Sequence, residues 1–520
     1  MATYLTPGVY VEEVQSGARP IEGVGTAVAA FVGFAQSGPF HEPTLVTSWD
    51  QYTQHFGGFT EGAYLPHSVY GYFANGGGAA YVVRIGGSGA GASAPAATGG
   101  RPQPRPVDPV ELGGFLVAAR PGVTGVSVEI ADADGENPPE DRFKIVVRQG
   151  DQVAETYEAS ARKNVKGYLV SVARASKLIE VTEQRGAAQT RPAGQTVAVP
   201  DAAAAAPAPA GQGGDVARLD PAEYVGDAGA RTGFAGLETI DEITMVAVPD
   251  LMSAYERGDI DSEGVRTVQL AVISHCEQMG DRVAVLDSPP GLSAQQVRSW
   301  RNDEAGYDSR YAALYYPWIR VFDPAAGRNA TVPPSGHIAG VWARSDAERG
   351  VHKAPANEVI RGAVDLELRL SKGEQDLLNP IGVNCVRAFP GRGIRIWGAR
   401  TLSSDPAWRY LNVRRLFNYL EESILLGTQW VVFEPNDDRL WSSIRRNVTA
   451  FLTEEWRGGA LFGRTAAEAF YVKCDRDNNP QESIDLGRVI CEIGVSPVKP
   501  AEFVVFRLAQ FSDSTSLVDE

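Results

Sequence analysis

The fold class is decided by residues 243–287, which contain the runs ITMVAVPD (243–250), SEGVRTVQLAVISHCEQMG (262–280) and RVAVLD (282–287). The first run is apolar except for Thr244 until Pro249 ends it, which is typical of a buried strand. In the second run, apolar residues recur every three or four positions up to Gly280, so it predicts a helix with Ser262 as its N-cap. The third run predicts another buried strand. A succession of strand, helix and strand predicts parallel strands joined by crossover helices.

The same alternation continues downstream, where residues 311–316 predict a third core strand. An amphipathic helix is predicted to begin with Asp405 as N-cap and Pro406 in its first turn. A second helix is capped by Asn436 or Asp437 and ends at Gly458 and Gly459. Short apolar runs predict strands that complete an α+β C-terminal domain, at 431–433, 470–473 and 488–493.

Two stretches rich in Gly, Ala and Pro interrupt the pattern, and the segment between them has its own short strands, predicted at 115–117, 126–130, 143–147 and 168–170. This segment is interpreted as a small β-rich domain inserted at the periphery of a larger one. The predicted organisation is an N-terminal extended arm (1–20), an α/β core (21–86 and 216–370), a linker (87–110), the inserted domain (111–191), a second linker (192–215), an α+β assembly domain (371–500), and a C-terminal strand arm with an acidic tail (501–520).

The composition of the chain argues against several classes of function. The chain has 520 residues and a formal net charge of −16, which argues against a general nucleic-acid binder because no surplus of cations is available for phosphates. No run approaches the roughly 20 apolar residues that a membrane-spanning helix needs, and the N-terminus lacks the pattern of a secretory signal peptide. The four cysteines are far apart without a CxxC pair, which favours buried reduced thiols over a zinc site, at Cys276, Cys385, Cys474 and Cys491.

Candidate catalytic residues follow the predicted core strands. Asp250 and Asp287 end two strands, His275 lies on the predicted helix, and Ser335 and His337 share a loop. However, a nucleophile needs a strained elbow and an oxyanion hole, and no GxSxG motif is present. Walker A, GxGxxG and HExxH motifs are also absent. The glycines at 391 and 393 are interpreted as a tight turn that enters a strand. No catalytic, cofactor-binding or metal site is predicted.

Both termini have the composition of extended strands. Residues 7–14 read PGVYVEEV, and residues 501–511 read AEFVVFRLAQF. Each arm could close a sheet within its own chain, or it could add itself to the open sheet edge of a neighbouring chain. Composition alone leaves both possibilities open.

Four blocks of the sequence resemble those of contractile tail sheath proteins. The first is TPGVYVEE at 6–13, and the second is PPSGHIAG at 333–340, which continues to RGVHKAPAN at 349–357. The third runs from NPIGVN at 379–384 to WGARTL at 397–402, and the fourth is GVSPVKPAEF at 494–503. These blocks cover both ends and the C-terminal half, whereas the insert lies outside the resemblance.

The resemblance implies a subunit of a phage tail or related injection system that stacks in six-fold discs around an inner tube and shortens to drive the tube through a target envelope. It implies a core of subtilisin-like topology without protease activity and without a cofactor. The implied partners are further copies of the chain, an inner tube protein, and baseplate and terminator proteins, with neither direct nucleic-acid binding nor membrane insertion, and with assembly in the bacterial cytoplasm. The open alternatives are a non-contractile capsid or tail subunit and a serine hydrolase.

The resemblance also implies that the arms complete a sheet in a neighbour's C-terminal domain. We expect flexible joints near Ser16 and Gly17 and around Ser496 and Pro497, where breakers flank each strand. The helix from Asp437 to Trp456 is expected to present charged residues to the tube. The expected arm residues are Val9, Tyr10, Val11, Glu12, Phe503, Val504, Val505, Phe506 and Leu508, and the expected tube-facing residues are Arg445, Arg446, Glu454 and Glu455.

Overall fold

The computed structural model describes residues 20–86 and 220–507, together with strands and short segments between 110 and 198. The chain divides into two compact units. One unit contains the described residues on both sides of the insert, and the other is the insert itself.

Strands and helices alternate along much of the chain. Before the insert the elements are β1 (Val28–Gly33), β2 (Thr44–Val46), α1 (Trp49–Phe56), α2 (Leu65–Asn75) and β3 (Ala79–Arg84). Within the insert they are β4 (Val110–Leu112), β5 (Phe115–Ala119), β6 (Val126–Asp132), β7 (Arg142–Gln149), β8 (Gln152–Ser160), α3 (Leu169–Val172), β9 (Ile179–Glu183) and β10 (Thr196–Ala198). After the insert they are α4 (Pro221–Val225), β11 (Met245–Ala247), α5 (Asp250–Arg257), α6 (Ser262–Met279), β12 (Val283–Asp287), α7 (Ala294–Ser299), β13 (Ala312–Tyr316), β14 (Ile319–Asp323), β15 (Arg328–Val332), α8 (Ser335–Arg349), β16 (Ala363–Leu366), α9 (Lys372–Leu378), β17 (Val383–Phe389), β18 (Gly393–Ile396), α10 (Leu411–Thr428), α11 (Asp438–Arg457), α12 (Ala466–Ala469), β19 (Phe470–Lys473), α13 (Gln481–Asp485) and β20 (Glu492–Val495).

An eight-stranded sheet with the order β18-β17-β13-β12-β11-β1-β3-β2 forms the centre of the larger unit. Its six inner strands are parallel, and the edge strands β2 and β18 are antiparallel to their neighbours. The predicted parallel α/β core is therefore confirmed. The apolar runs are continuous because both faces of these strands are covered, so that Leu286 and Val285 of β12 lie in two different hydrophobic cores.

Helices cover the two faces of this sheet. Residues of α4 to α7 pack in one core, and residues of α1, α2 and α8 pack in the other. Helices α2 and α8 approach each other closely because glycines line their contact. A Cβ on Gly336 would lie 2.3 Å from the Cα atom of Ser68, and a Cβ on Gly340 would lie 2.4 Å from the carbonyl oxygen of Tyr72. Only glycine fits at these two positions.

The C-terminal part has a separate core that α10, α11, β19 and β20 build. Asp437 caps α11 and Gly458 follows its last residue, as predicted. The start predicted for the preceding helix is wrong, because the Asp405 carboxylate instead accepts a hydrogen bond from the backbone of Ala407 within a loop. Helix α10 begins only at Leu411.

Other element predictions need correction. The expected strand at 431–433 is wrong, because Gln429–Val431 forms a 3-10 turn and Phe433 has a φ of 67°. The strand expected at 488–493 is observed later, as β20, and α6 is capped by Asp261 and not by Ser262. In each case a local side-chain hydrogen bond or a turn outweighs the strand or cap preference that composition indicates.

The domain boundaries also differ from the prediction. Strands β17 and β18 belong to the central sheet, so the boundary expected at residue 371 is too early. In the insert, the sheets β10-β6-β7-β8 and β4-β5-β9 enclose their own core. Strand β10 and the first residue of β4 fall in stretches that are expected to be linkers, and the strand expected at 168–170 is the short helix α3.

Candidate assembly surface

The chain after β20 is fixed to the C-terminal domain for several residues. The backbone N–H of Ser496 donates to Ala469 at 2.8 Å, and Ser496 in turn accepts from the N–H of Phe462 at 2.7 Å. Further along, the Asn412 side chain donates to the carbonyl oxygen of Val498 at 3.1 Å. The flexible joint predicted around Ser496 and Pro497 is therefore wrong, since paired backbone holds this segment in place.

Glu502 is the last anchored residue of this segment. Arg400 donates to both carboxylate oxygens of Glu502, at 2.8 and 2.6 Å, in a two-pronged ion pair. Asn379 donates to the same carboxylate at 2.8 Å, and the Tyr410 hydroxyl donates at 3.1 Å. Burial raises the pKa of Glu502, but the hydrogen bonds from Arg400 and Asn379 outweigh it, so the pKa is lowered overall. The carboxylate is thus held in its charged form.

Beyond Glu502 the chain leaves the domain surface. Four consecutive apolar side chains are 67–85% exposed, namely Phe503, Val504, Val505 and Phe506. Residues 501–507 form no strand with any described part of this chain. A contiguous apolar run that stays in water is unusual for an isolated protein and is typical of a surface that a partner covers. Leu508 lies outside the described residues.

The corresponding N-terminal residues, Val9, Tyr10, Val11 and Glu12, lie outside the described residues, as do Ser16 and Gly17. The first described residues run along α10. A Cβ on Gly427 would lie 2.7 Å from Ile21, and the N–H of Val24 donates to the Ser423 hydroxyl at 3.1 Å. The base of the N-terminal arm is therefore fixed to the C-terminal half of α10.

Helix α10 separates the bases of the two arms. Glu502 contacts Tyr410, immediately before the helix, whereas Ile21 packs beside Gly427, in its last turn. The helix has 18 residues, which corresponds to a length of about 27 Å at 1.5 Å per residue. The two arms therefore start from opposite ends of one rigid element.

The sheet of β19 and β20 is a candidate acceptor for an added strand. The two strands pair in antiparallel register from Phe470 opposite Val495 to Lys473 opposite Glu492, and no further described strand joins them. A sheet of two strands is only marginally stable in water and offers open backbone groups at its edges. Large apolar side chains are exposed in the same domain, including Val432, Phe433, Phe462, Tyr471 and Leu486.

Helix α11 presents only part of the expected tube-facing set. Arg446 and Glu454 are exposed, and their partners, Ser443 and Arg457, lie on the same helix. Arg445 is exposed but donates to the carbonyl oxygen of Cys474 at 3.2 Å.

Glu455 does not lie on the outward face of α11 as predicted. Its carboxylate accepts a hydrogen bond from the Tyr419 hydroxyl of α10 at 2.8 Å, and burial raises its pKa. The spacing of apolar residues in α11 could not reveal this contact, because the partner is on another helix.

A buried ion pair joins the C-terminal domain to the central core. Arg415 of α10 donates to the two carboxylate oxygens of Asp346 on α8 at 2.9 and 2.6 Å, and both side chains are at most 5% exposed. Thr26 completes the arrangement, since its hydroxyl donates to Asp346 at 2.7 Å and its carbonyl oxygen accepts from Arg415 at 3.0 Å. Three segments distant in sequence are thereby held together.

The aspartates that were considered for catalysis hold the core together. Asp287 accepts a hydrogen bond from the backbone N–H of Ser335 at 2.9 Å, and burial raises its pKa to about 7. The cavity beside Asp287 has a volume of about 10 Å³, close to that of one water molecule. Asp250 accepts from the N–H groups of Phe34 at 2.6 Å and Leu65 at 3.2 Å, and it is fully buried. Neither carboxylate has room for a substrate.

The two histidines lie apart. His275 is on α6, in the core on one face of the sheet, beside Arg282. Its pKa is lowered to about 4 by burial and by the Arg282 charge. His337 is on α8, on the other face, and its pKa is lowered to about 3 by burial and by His67. The structure therefore does not bring Ser335, His275 and an aspartate together as a triad.

Among residues 20–86, 220–507 and the described parts of the insert, no group of three or more His, Cys, Asp or Glu residues is placed to hold a metal ion. In the same residues, no helix has both the length and the apolar character required to cross a membrane.

Acid is expected to release the base of the C-terminal arm. Because the pKa of Glu502 is lowered in the folded protein, its ionised contacts stabilise the anchor above pH 4 to 5 and are lost as the pH falls through the folded pKa. Hydrogen exchange of residues 498–503, corrected for the intrinsic pH dependence, should show this loss. Glu502→Gln should show the released exchange pattern already at pH 7. Equal protection of both proteins at pH 7 would contradict a charge-dependent anchor.

Two family profiles of known proteins match adjoining parts of the chain. A family profile for the phage tail sheath protein central domain matches residues 229–402, and one for the phage tail sheath C-terminal domain matches residues 403–511. Together they cover more than half of the chain. The insert between residues 110 and 198 lies outside both matches.

Curated relatives are similar over about half of the chain. The chain is 27% identical to the tail sheath protein of Vibrio phage KVP40 over 317 residues, which are 56% of this chain and 46% of that protein. It is 27% identical to a putative prophage major tail sheath protein of Pseudomonas aeruginosa over 251 residues, which are 46% of this chain and 62% of that protein. The chain thus spans about half the length of the curated relatives that it matches.

Solved structures share the mixed α/β fold. The anti-feeding prophage helical sheath in its contracted state has a TM-score of 0.59 and 24% identity, with 98% of this chain and 100% of that chain covered. The sheath complex of the extracellular contractile injection system PVC, also contracted, has a TM-score of 0.57 and 23% identity, with 98% and 99% covered. At these sequence identities, the structural likeness shows a shared fold.

Proposed function

This chain belongs to the phage tail sheath family, and on that premise we propose that it is the structural sheath subunit of a contractile phage-tail-like injection system. Its copies stack in six-fold discs around an inner tube, and their concerted shortening drives the tube through a target envelope. The observation that carries the proposal is the apolar run Phe503–Phe506, which is anchored up to Glu502 and then exposed.

The arms link each copy to its neighbours. An extended segment gains main-chain hydrogen bonds when it joins an open sheet edge, and alternate side chains fix its register. We assign the acceptor role to the β19–β20 sheet of a neighbouring copy, because its edges are open. The N-terminal residues Val9–Glu12 are assigned to the same kind of contact. Arms that leave opposite ends of α10 reach different neighbours, and such head-to-tail contacts generate open helical assemblies.

Contraction in this proposal requires no nucleotide, metal or catalytic residue in the chain. The assembled extended state is kinetically trapped, and free energy stored at the interfaces between subunits is released when the subunits rotate and repack. The gain for each subunit need only be a few kcal/mol, because hundreds of coupled subunits act together. We propose that the joint of the C-terminal arm lies directly after Glu502, where the anchored segment ends.

Partners other than further copies of the chain are proposed from proteins that are similar to it. One similar structure is that of the anti-feeding prophage baseplate, so a baseplate is proposed as the partner at one end of the sheath. An inner tube and a terminator protein complete the set. We also propose a subtilisin-like topology for the core, which the parallel order of β1 and β11–β13 supports, and a separate inserted domain, which the insert's own hydrophobic core supports.

Imaging of the purified full-length chain by negative stain tests this function. Striated tubes are expected. Closed shells would favour the alternative of a non-contractile capsid or tail subunit, and monomers at all concentrations and salt conditions would contradict both structural roles.

The exposed side of α11 is proposed to face the inner tube. Charge reversal of Arg446 and Glu454 together, as Arg446→Glu with Glu454→Lys, is expected to weaken cosedimentation with tubes at least tenfold while sheath-to-sheath assembly continues. Both side chains are exposed and form hydrogen bonds with residues of their own helix, so the fold should be unaffected. Arg369→Glu, on a 74% exposed side chain of the core, is the matched control. Unchanged tube binding by the double variant would refute the assignment.

A further inference from the structure

Two cysteines that are 17 positions apart in the sequence lie one residue beyond the end of the β19–β20 sheet, on its two strands. The strands pair in antiparallel register with Lys473 opposite Glu492, so the next pair along the ladder is Cys474 and Cys491. Directly opposite residues of an antiparallel pair point to the same face, and their Cα atoms lie about 4.5–5.5 Å apart. A disulfide bond spans Cα atoms about 4.4–6.8 Å apart. The two thiols are free in this structure.

The backbone on both sides of this pair is held in place by one buried side chain. Asn479 is 1% exposed and lies in the loop between the strands. Its amide donates to the carbonyl oxygens of Asp475 at 3.0 Å and Ile490 at 2.9 Å, and its carbonyl oxygen accepts from the N–H of Ile490 at 2.6 Å. The residue after Cys474 is therefore tied to the residue before Cys491, and the two cysteines stay in register.

The electrostatic environment favours a thiolate at Cys474. The Cys491 thiol donates a hydrogen bond that lowers the pKa of Cys474, and the nearby Arg445 charge acts in the same direction against burial. The same hydrogen bond, together with burial, raises the pKa of Cys491. Cys474 is therefore the nucleophile although its own side chain is fully buried, and the half-buried Cys491 beside it is the resolving thiol and the side from which peroxide reaches the pair.

The other two cysteines offer a contrast within the same chain. Cys276 on α6 and Cys385 on β17 are buried in the central core, and burial raises the pKa of both, to about 12 for Cys385. Neither of these two thiols has a lowered pKa or partial exposure, whereas in the Cys474 and Cys491 pair one thiol has a lowered pKa and the other is partly exposed. Oxidation should thus be selective for one pair.

We propose that Cys474 and Cys491 form a reversible redox clip that peroxide closes across β19 and β20. The Cys474 thiolate attacks one oxygen of hydrogen peroxide and becomes a sulfenic acid, while the other oxygen leaves as hydroxide and takes up a proton. The Cys491 thiol then loses its proton and attacks the Cys474 sulfur, which expels the second water. Two thiols and one peroxide give one disulfide and two waters. The chemistry of the clip does not depend on the sheath function.

Closing the clip has a structural consequence. The bond encloses residues 474–491, including α13, and removes conformational freedom from the unfolded state of this segment. It also covalently fixes a two-stranded sheet that is otherwise only marginally stable. Oxidation should therefore raise the unfolding temperature of the C-terminal domain by several degrees.

The test uses the native full-length chain with a small excess of hydrogen peroxide. Thiol titration under denaturing conditions should fall from four free thiols to two, and dithiothreitol should restore the original value. Non-reducing peptide mapping should find the peptides of Cys474 and Cys491 joined, with a mass loss of two hydrogen atoms. Four persistent thiols, oxidation to sulfinic acid without a link, or a link that includes Cys276 or Cys385 would each overturn the proposal.

Two variants separate the chemistry from mere proximity. With Cys491→Ser, the sulfenic acid on Cys474 should persist and react with dimedone. Arg445→Gln should slow disulfide formation several-fold at neutral pH and shift the pH profile of the rate upward, because the thiolate fraction falls. Arg446→Gln, one position further on the same helix, is the matched control and should leave the rate unchanged. Equal rates of disulfide formation for wild type and Arg445→Gln would show that the Arg445 charge does not promote the Cys474 thiolate.

Discussion

Removal of residues 503–520 is expected to leave a folded protein that forms no tubes. The four side chains Phe503–Phe506 are exposed and contribute nothing measurable to the fold of their own chain, so the unfolding temperature should change by less than about 2 °C. Assembly should nevertheless be lost, because the arm supplies the main-chain hydrogen bonds between copies. Negative-stain imaging and sedimentation velocity measure the two effects separately.

The truncation should retain Glu502, since its removal would also free Arg400 from its partner. A matched control replaces Phe503–Phe506 with four threonines, which keeps the backbone and the strand preference but removes apolar area. We expect this variant to form short or unstable tubes, intermediate between wild type and truncation. Tubes of normal length from the truncated chain would refute the role of the arm.

Asp346→Ala is expected to destabilise the chain by about 3–5 kcal/mol, since it leaves the Arg415 guanidinium buried without a counter-charge. Loss of the Thr26 hydroxyl contact adds to the effect. Urea unfolding followed by tryptophan fluorescence measures the change, and one of the nine tryptophans, Trp342, has its ring centroid 4.9 Å from the Arg415 guanidinium carbon.

Two controls make this result interpretable. Asp365→Ala removes the partner of the exposed Arg369 and should cost less than about 1 kcal/mol. The double variant Asp346→Leu with Arg415→Met should recover much of the lost stability, because apolar side chains of similar size carry no desolvation cost. A loss below about 1 kcal/mol for Asp346→Ala would mean that solvent reaches the pair.

The central sheet could be predicted because its strands carry their signal locally. Residues 283–286 are all apolar and, with Asp287, form β12 as predicted, and the alternation with helices indicated parallel strands. Turns were predictable where a positive φ favours glycine, as at Gly391 between β17 and β18 and at Gly393, the first residue of β18. The start of α10 was not predictable, because the bridge between Arg400 and Tyr410 keeps the preceding residues in a loop.

The candidate sites depend on contacts that span long distances in sequence. Arg400 and Glu502 are 102 positions apart, and nothing in either local sequence indicates the pairing. Both lie in blocks that resemble tail sheath proteins, and that resemblance was the only signal for them. The proximity of Cys474 and Cys491 likewise emerges only after the register of β19 and β20 is known. The outward position expected for Glu455 failed for the same reason, since its partner Tyr419 is on another helix.

The contact between α2 and α8 bears on how the subunit behaves under mechanical load. Gly336 and Gly340 bring two helix backbones together with no layer of side chains between them. Side chains can change rotamer and let helices slide by small amounts, whereas backbone against backbone has no such compliance, and close-packed interiors transmit strain. The pair of helices should therefore act as a stiff unit when force is applied, and deformation should be greater where the chain is less tightly packed, as at the exposed residues 503–506.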